Sequence, residues 1–515
     1  MSKFEQQAPL AEALVNYAKA GQSSFHVPGH KNGHAFKMMR SEAAGYLERV
    51  ALIDATEIIG LDDLHHPEGV IAQAQERAAR FYGADESFFL VGGSTVGNQA
   101  LILSVCTEPG DVLLVQRNVH KSIIHGCMLA GAHVVFLTPQ FDARSGLAII
   151  PSYTTVAEAL IRYPEAKGLL VTSPNYYGMG ESLKSIIELC HEHDLPVLVD
   201  EAHGAHFGLH TDLPVSAMAE GADGVVQSTH KMLTALTMGS MLHIQGDYLN
   251  RSLLKQRLAM LQSSSPSYAI MASLDLTRSE LEQKGEDAFT EALIQCNRIR
   301  DYAKGKRLSI VEPEGIEGYS RQDPFKIVIY DKFEQRSGYE LQEMLEKQGC
   351  IPEMSDHRHV VLALSLATSS EEIDHLINAM NSIEDELADI LPIIKQNNLP
   401  NEPLMIGEQN QLSTWNNSNE NKISDIVPFN LRTWKEDQLE TILLEKVEGY
   451  SSGEMVIPYP PGIPLLYIGE VISKETIEVL KRCRLANFKC QGVSDTTLRT
   501  LRVISSGKLE KQYVE

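Results

Sequence analysis

The feature that most constrains the fold is an alternation of short apolar runs with helix-like segments over residues 87–228. The helix-like segments cover 96–106, 120–130, 154–162 and 182–193. Continuous apolar strands separated by helices are typical of a mostly parallel sheet that is covered on both faces. The apolar runs are SFFLV (87–91), DVLLVQ (111–116), AHVVFL (132–137), KGLLVT (167–172), LPVLVD (195–200) and DGVVQS (223–228). The sequence therefore predicts an α/β large domain.

The chain has 515 residues, which is too long for one hydrophobic core, and the pattern of predicted helices and strands changes along its length. After about residue 275 a long charged helix is followed by two apolar strands, FKIVIY (325–330) and HVVLALS (359–365), which favour a smaller α+β domain. In IPYPPGIPLLYIGE (457–470), four prolines exclude a regular helix, so we expect an extended piece rich in turns. The predicted divisions are an N-terminal segment 1–60, a large domain 61–275, a small α+β domain 276–394, a linker 395–425 rich in Asn, Gln and Ser, and a C-terminal domain 426–515.

Charge and cysteine content narrow the classes of partner. The net charge of −23 repels phosphate backbones and anionic lipid, so we predict neither a nucleic-acid partner nor a membrane partner. The seven cysteines form no C-x-x-C pair, which favours isolated thiols in a reducing compartment. The N-terminus lacks the apolar core of a signal peptide, and no stretch approaches the roughly 20 apolar residues that span a bilayer. We therefore expect a cytoplasmic protein.

Polar groups follow several predicted strands directly. Asp200 ends LPVLVD, Thr172 ends KGLLVT, Ser228 ends DGVVQS, and Gly92-Gly93-Ser94-Thr95 follows SFFLV and opens a helix. In an open α/β sheet, ligands bind at the carboxyl ends of the strands. One pocket at that edge would gather these groups.

Lys231 and Asp200 are the candidate reactive pair. Lys231 lies in an almost uncharged run, QSTHKMLTALTMGS, and apolar neighbours would lower the pKa of its amine and make it able to form a Schiff base. An aspartate that ends a strand can hold the pyridine nitrogen of pyridoxal 5′-phosphate (PLP) in its protonated form. The alternatives are a surface lysine in a loop and a buried aspartate that is satisfied by backbone N–H groups.

The same stretch offers a phosphate site and a ring contact. The glycine–hydroxyl turn with Ser94 and Thr95 presents N–H groups and a helix dipole to a dianion, and Ser228 adds a hydroxyl. His120, just after another predicted strand, can stack on a cofactor ring. The alternatives are an ordinary helix cap and a loop histidine.

A metal site is the other reading of the histidines. His203, His206 and His210 are closely spaced, but Gly204 and Gly208 argue against a helix that would align them. We predict no metal and favour PLP, because the phosphate turn, the histidine, the aspartate and Ser-x-His-Lys follow one another in the order of a fold-type-I PLP enzyme.

These motifs resemble the Orn/Lys/Arg decarboxylase family over residues of about 20–275 and 450–500. The resemblance implies an aspartate-aminotransferase-type fold and a homodimer with active sites at the subunit interface. The chain is most similar to the shorter bacterial members, which lack an N-terminal receiver-like domain. The motifs are FHVPGHKNG, GLDDLHHPEG, GGSTVGN, RNVHKS, TSPNYYG, VLVDEAHGAH, QSTHK and, in the C-terminal domain, EMVIPYPPGIPLLYIGE.

The resemblance also implies a role for each site residue. Lys231 would be the Schiff-base lysine, Asp200 the partner of the pyridine nitrogen, His120 the stacking residue and Ala202 the contact on the opposite ring face. His203, where the larger members carry tryptophan, is also counted as a catalytic candidate, but its contact stays open. The implied phosphate group consists of Ser94, Thr95, Ser228 and His230, with Ser264 or Ser265 reaching the phosphate of the neighbouring subunit.

The implied reaction is decarboxylation of arginine, lysine or ornithine to the corresponding amine. Glu353 and Asp356 in IPEMSDH (351–357) are the candidate partners of the distal cation of the substrate, or else two solvated loop carboxylates. An aminotransferase or another PLP enzyme on the same fold is the alternative activity, and a non-catalytic binding protein is the alternative class.

Overall fold

A computed structural model describes residues 7–313, 320–388, 422–431, 434–458, 463–485 and 489–505. The helices within these ranges are α1 (Pro9–Ala20), α2 (His34–Met38), α3 (Glu42–Ala51), α4 (Val70–Tyr82), α5 (Gly93–Val105), α6 (Lys121–Ala130), α7 (Tyr153–Arg162), α8 (Lys184–His191), α9 (Ala217–Glu220), α10 (Thr229–Met232), α11 (Arg251–Leu261), α12 (Tyr268–Lys284), α13 (Asp287–Ala303), α14 (Gly338–Lys347), α15 (Ser370–Ala388) and α16 (Lys474–Leu485).

Eight of the strands within the same ranges, β1–β4, β6, β7, β11 and β13, coincide with the predicted apolar runs. They are β1 (Glu86–Leu90), β2 (Val112–Gln116), β3 (His133–Leu137), β4 (Leu169–Thr172), β5 (Met179–Gly180), β6 (Val197–Asp200), β7 (Gly224–Gln227), β8 (Ser240–Ile244), β9 (Leu308–Ile310), β10 (Arg321–Gln322), β11 (Lys326–Asp331), β12 (Met354–Ser355), β13 (His359–Ala363), β14 (Val427–Pro428), β15 (Leu439–Leu443), β16 (Ile457–Pro458), β17 (Cys490–Gln491) and β18 (Thr500–Ile504).

The described residues form two compact units, the first from residues 7–105 and 183–291. Its strands lie in the order β1-β8-β7-β6. Strands β6 and β7 are parallel, whereas β8 is antiparallel to both β7 and β1, so that three of these four strands share one direction. Helix α5 packs closely on them, because a Cβ at Gly97 would lie 2.7 Å from Leu90 and 2.9 Å from Val226.

The second unit consists of the described residues within 106–182 and 292–505. Strands β4 and β3 flank β2 in parallel, and β14 adds to β3 in the antiparallel direction. A separate antiparallel sheet, β12-β13-β11-β9, packs with α14. The C-terminal residues have a core of their own, which includes Leu444, Val456 and Leu480. The predicted α/β fold, with mostly parallel strands and a smaller α+β part, is confirmed.

Some predicted elements differ in detail. With Pro67 and Glu68 as start signals, the sequence predicts a helix over 67–82. Helix α4 begins only at Val70, where the Asp62 carboxylate accepts hydrogen bonds from the N–H groups of Gly69, Ile71 and Ala72. The long charged helix after residue 275 is two helices, α12 and α13, separated at Gly285, which has a φ of +56°. Strand β8 was not predicted, because buried Ser240 and His243 interrupt its apolar pattern.

The predicted domain boundaries stay a prediction, but the structure bears on three of them. Leu10 and Leu14 of the N-terminal segment lie in the core of the first unit, and the boundary at 275 falls inside α12. Residues 395–421 of the predicted linker lie outside the described residues, and Lys422 and Ser424 bond to the backbone of the β3 region. Residues 459–462 of the proline-rich segment also lie outside, and its described remainder has no helix.

Among the helices that the structure describes, none combines the length and the apolar character needed to cross a bilayer.

Candidate active site

Asp200 is a deeply buried charged group of the candidate site. It ends β6 with 3% of its surface exposed. Asn98 of α5 donates from Nδ2 to Oδ2 of Asp200 over 3.0 Å, and the N–H of Ala202 donates to Oδ1 over 3.2 Å. Burial raises the pKa of Asp200, and the positive charge of Lys231 and these two donors offset only part of that effect. A buried carboxylate of this kind favours a further cationic partner.

Lys231 lies in α10, directly after β7. Its Nζ is 3.2 Å from Nε2 of His203, and the His203 side chain is buried. The expectation of a lysine enclosed by apolar neighbours is wrong, because Lys231 is exposed while Thr229 and Met232, on the other side of the short helix, are buried. The amine nevertheless stays near enough to Asp200 for its charge to act on that carboxyl.

The start of α5 and the end of β7 carry the predicted phosphate contacts. Ser94 and Thr95 are partly exposed in the first turn of α5, and Gly93 precedes them with a φ of +75°. Ser228 is fully buried, and its Oγ has no hydrogen-bond partner among the described residues. A buried hydroxyl without a partner is costly unless a ligand uses it. This hydroxyl and the α5 N-terminus fit a phosphate dianion.

His230 and Ser265 are placed less directly. The Nδ1 of His230 is 3.0 Å from the carbonyl oxygen of Gly239, and burial lowers the pKa of the ring. Ser265 is exposed in the connection between α11 and α12, where its N–H donates to Oγ of Ser263. The predicted role of Ser264 or Ser265 towards a neighbouring subunit stays a prediction.

The three other predicted residues belong to the second unit. His120 is exposed at the N-terminus of α6, where its Nδ1 accepts from the N–H of Ser122. Glu353 is exposed and accepts a hydrogen bond from the hydroxyl of Tyr176. Asp356 is buried, and Tyr177 donates to its Oδ2 over 2.6 Å.

Asp356 also interacts with its own loop. Its Oδ1 accepts from the N–H groups of Arg358 and His359, both over 2.7 Å, and the His359 ring lies 3.0 Å from Oδ2. Burial would raise the pKa of this carboxyl, but His359, Tyr177 and the backbone donors lower it to about 2. These contacts give Asp356 a structural role, and its role as a substrate ligand stays a prediction.

The residues that sequence reasoning missed are Asn98 and the buried pair Glu201–Gln227. Asn98 is the last residue of the motif GGSTVGN and lies more than one helical turn after Gly93, where α5 begins. That spacing is the signal that could have placed Asn98 beside β6. Gln227, which directly precedes Ser228, donates to Glu201, which directly follows Asp200, over 2.7 Å. No group of three or more His, Cys, Asp or Glu suited to a metal ion occurs in the described part of the chain.

An α/β fold with a buried aspartate, a lysine and a phosphate-type turn at strand ends defines an enzyme class. These residues fit pyridoxal 5′-phosphate as cofactor, because a buried carboxylate such as Asp200 suits a protonated ring nitrogen, and a buried hydroxyl without a partner and a helix N-terminus suit a phosphate. The family model for the Orn/Lys/Arg decarboxylase major domain matches residues 8–322, and the model for the C-terminal domain of that family matches residues 430–495. The chain belongs to the Orn/Lys/Arg decarboxylase family and is a decarboxylase-type enzyme.

Individual relatives extend over nearly the whole chain. An uncharacterized protein, YaaO, of Bacillus subtilis is 42% identical over 94% of this chain and 96% of its own length. The arginine decarboxylase of Bacillus anthracis is 34% identical over 99% of both chains. The crystal structure of the Francisella novicida lysine decarboxylase LdcF has a TM-score of 0.78 at 20% identity, covering 97% of this chain and 81% of that one, and shows the shared fold.

Proposed function

We propose that this enzyme decarboxylates a basic amino acid, arginine first, with Lys231 holding the cofactor covalently as a Schiff base. The observation that carries the proposal is the buried Asp200 beside the charge of Lys231, at the ends of neighbouring strands β6 and β7. When bound, the cofactor supplies an electron sink for the charge left at Cα as CO₂ departs.

The residues of this chain supply the electrostatics and the orientation. Asp200, fixed by Asn98 and the N–H of Ala202, stabilises a positive charge on the ring nitrogen. Lys231 can return a proton to Cα after CO₂ leaves, and His203, 3.2 Å from its Nζ, can hold or exchange that proton. His120, as predicted from the sequence, would stack on the ring.

The choice of substrate is supported by the relatives. Chains named arginine decarboxylase are 33–35% identical over nearly the whole length, whereas the constitutive lysine decarboxylase of Escherichia coli is 24% identical over 92% of this chain. We therefore place arginine before lysine and ornithine. The motif resemblance to the family supports a homodimer, and the isolated cysteines and the lack of a signal-peptide core support a cytoplasmic location; both stay proposals.

The decisive experiment combines cofactor attachment with product analysis. We expect borohydride to fix one PLP on the peptide that contains Lys231, and arginine to give CO₂ and the corresponding amine. Lys231→Ala should abolish both, while the exposed Lys255→Ala should change neither. A keto acid as product would favour the aminotransferase alternative, and PLP fixed elsewhere would contradict the role of Lys231.

A further inference from the structure

A buried ion pair joins the C-terminal domain to the loop that carries His120. Arg117, directly after β2, is only 3% exposed, and its Nη2 lies 2.5 Å from Oε1 of Glu470, which is 16% exposed. The same nitrogen donates to the carbonyl oxygen of Leu465 over 3.3 Å. All of these residues lie in the second unit. Because the ion pair is buried, loss of one partner would leave the other as a desolvated, unpaired charge and would destabilise the fold.

Tyr467 strengthens this connection. Its hydroxyl donates to the carbonyl oxygen of Arg117 over 2.9 Å, and its own N–H donates to Oε2 of Glu470 over 3.0 Å. Its ring stacks on Phe136 of β3 with centroids 4.5 Å apart, and the Arg117 guanidinium lies 4.8 Å from both rings. The C-terminal domain thus fixes both the side chain and the backbone of Arg117.

The loop transmits this restraint over a short distance. Asn118 and Val119, which separate Arg117 from His120, are buried, and Gln116 donates to Oδ1 of Asn118 over 2.8 Å. A displacement of Arg117 therefore cannot be absorbed before His120 without disturbing buried groups.

We propose that Glu470 is a positioning residue, through which the C-terminal domain holds the Arg117–His120 loop in the conformation that His120 needs for its proposed role in cofactor binding. The inference rests on the proposed function in one respect, the role of His120. It gives the C-terminal domain a part in cofactor binding beyond its own folding.

The test compares Glu470→Gln with Glu445→Gln. Glu445 pairs with Arg484 in the same domain over 2.9 Å, so the control removes the same charge from another Arg–Glu pair that has no contact with the loop. Without cofactor, we expect amide hydrogen exchange in residues 117–122 to rise about tenfold in Glu470→Gln only, because a local restraint is lost. PLP should bind about tenfold more weakly or worse, with a changed circular dichroism of the bound cofactor.

The outcomes separate the alternatives. Unchanged exchange in folded Glu470→Gln, or faster exchange with unchanged PLP affinity, would overturn the positioning role. Should Glu470→Gln not fold, Arg117→Lys, which keeps the charge but shortens the contact, must give the same two changes, and Glu470→Asp should restore part of both. A wild-type protein that binds no PLP contradicts the proposed function, while the exchange measurement still reports on the loop.

Discussion

At the scale of single residues, two buried aspartates show how surroundings decide what a carboxyl does. Asp200 accepts hydrogen bonds from Asn98 and from the N–H of Ala202 within 3.2 Å, and burial leaves its pKa raised. Asp356 has Tyr177, the His359 ring and two backbone N–H groups, which together lower its pKa to about 2. Asp200 would therefore be stabilised by another cation, whereas the hydrogen-bonding capacity of Asp356 is already met by its neighbours.

Ser228 allows a prediction in which two measurements move in opposite directions. Its hydroxyl is buried without a partner, so Ser228→Ala should leave the cofactor-free protein as stable as wild type or more stable. The same change should weaken PLP binding by about tenfold, the usual effect of losing one hydrogen bond to a charged group. Thermal unfolding without cofactor and a PLP titration check the two effects.

Ser104→Ala is the matched control, because Ser104 is also buried but donates to the carbonyl oxygen of Ala100 over 2.6 Å. It should not affect PLP affinity. A Ser228→Ala protein that is clearly less stable and binds PLP normally would show that the hydroxyl serves packing alone.

At the scale of elements, a polar chain crosses the four strands of the first unit. Ser87 of β1 lies 2.7 Å from the His243 ring on β8, the other ring nitrogen lies 3.2 Å from Gln227 on β7, and Gln227 donates to Glu201 after β6. Burial lowers the pKa of His243 to about 3 and raises the pKa of Glu201 to about 8. The strands beside the candidate site are thus joined by side chains as well as by backbone.

This network of buried polar side chains predicts that the stability of the protein depends on pH. Because the pKa of Glu201 rises from its usual 4.5 to about 8 on folding, the folded state binds more protons between these values, and stability falls as the pH rises through that window. Its contribution is at most about 1.4 kcal/mol per pH unit. His243 has the opposite effect below pH 6.5, because its pKa falls from 6.5 on folding. Glu201→Gln should therefore flatten the unfolding free energy between pH 6.5 and 8, measured by urea denaturation.

Glu188→Gln, a change at an exposed glutamate of α8, should leave that slope as in wild type. Equal slopes for wild type and Glu201→Gln would mean that Glu201 stays ionised in the folded protein.

We expect substitutions of the two carboxylates around β12, Glu353 and Asp356, to have different effects. Asp356→Asn should cost about 3 kcal/mol of unfolding free energy, because His359 and Tyr177 lose a buried charged partner. The contribution of Asp356 to the free energy of unfolding is present above about pH 4 and disappears towards pH 2, since the pKa of this carboxyl is lowered on folding. Glu353→Gln should leave stability unchanged and raise KM for arginine about tenfold.

Glu346→Gln on α14 provides the control for an exposed carboxylate of the same sheet region. Arginine kinetics that do not respond to Glu353→Gln would remove Glu353 from the substrate site.

At the scale of the whole molecule, the predicted homodimer can be tested through Ser265. If Ser265 acts on the neighbouring subunit, Lys231→Ala and Ser265→Asp chains should complement each other, because one site of a mixed dimer then has an intact lysine and an intact serine. Random mixing would restore about a quarter of wild-type activity, since half of the dimers are mixed and each has one intact site.

Each variant alone provides the baseline for that measurement, and a double variant mixed with itself should stay inactive. Activity of the mixture no higher than the mean of the two single variants would place Ser265 in the site of its own subunit, or outside any site.

The sequence by itself determined the apolar strands, the order of the chemical groups and the family. Apolar runs such as 195–200 became β6 because burial on both faces is encoded locally, and the family motifs are also local. Strand β8 was not predicted because Ser240 and His243 are polar, and only their partners in the fold explain why they are buried.

Only the tertiary structure decided which polar groups are satisfied. Asp356 meets Tyr177 from 179 residues away, Arg117 meets Tyr467 from 350 residues away, and Asn98 meets Asp200 from 102 residues away. The exposure of Lys231 is likewise set by which side of α10 packs inward. Such pairings depend on the three-dimensional approach of distant segments, and no local pattern of residues carries that information.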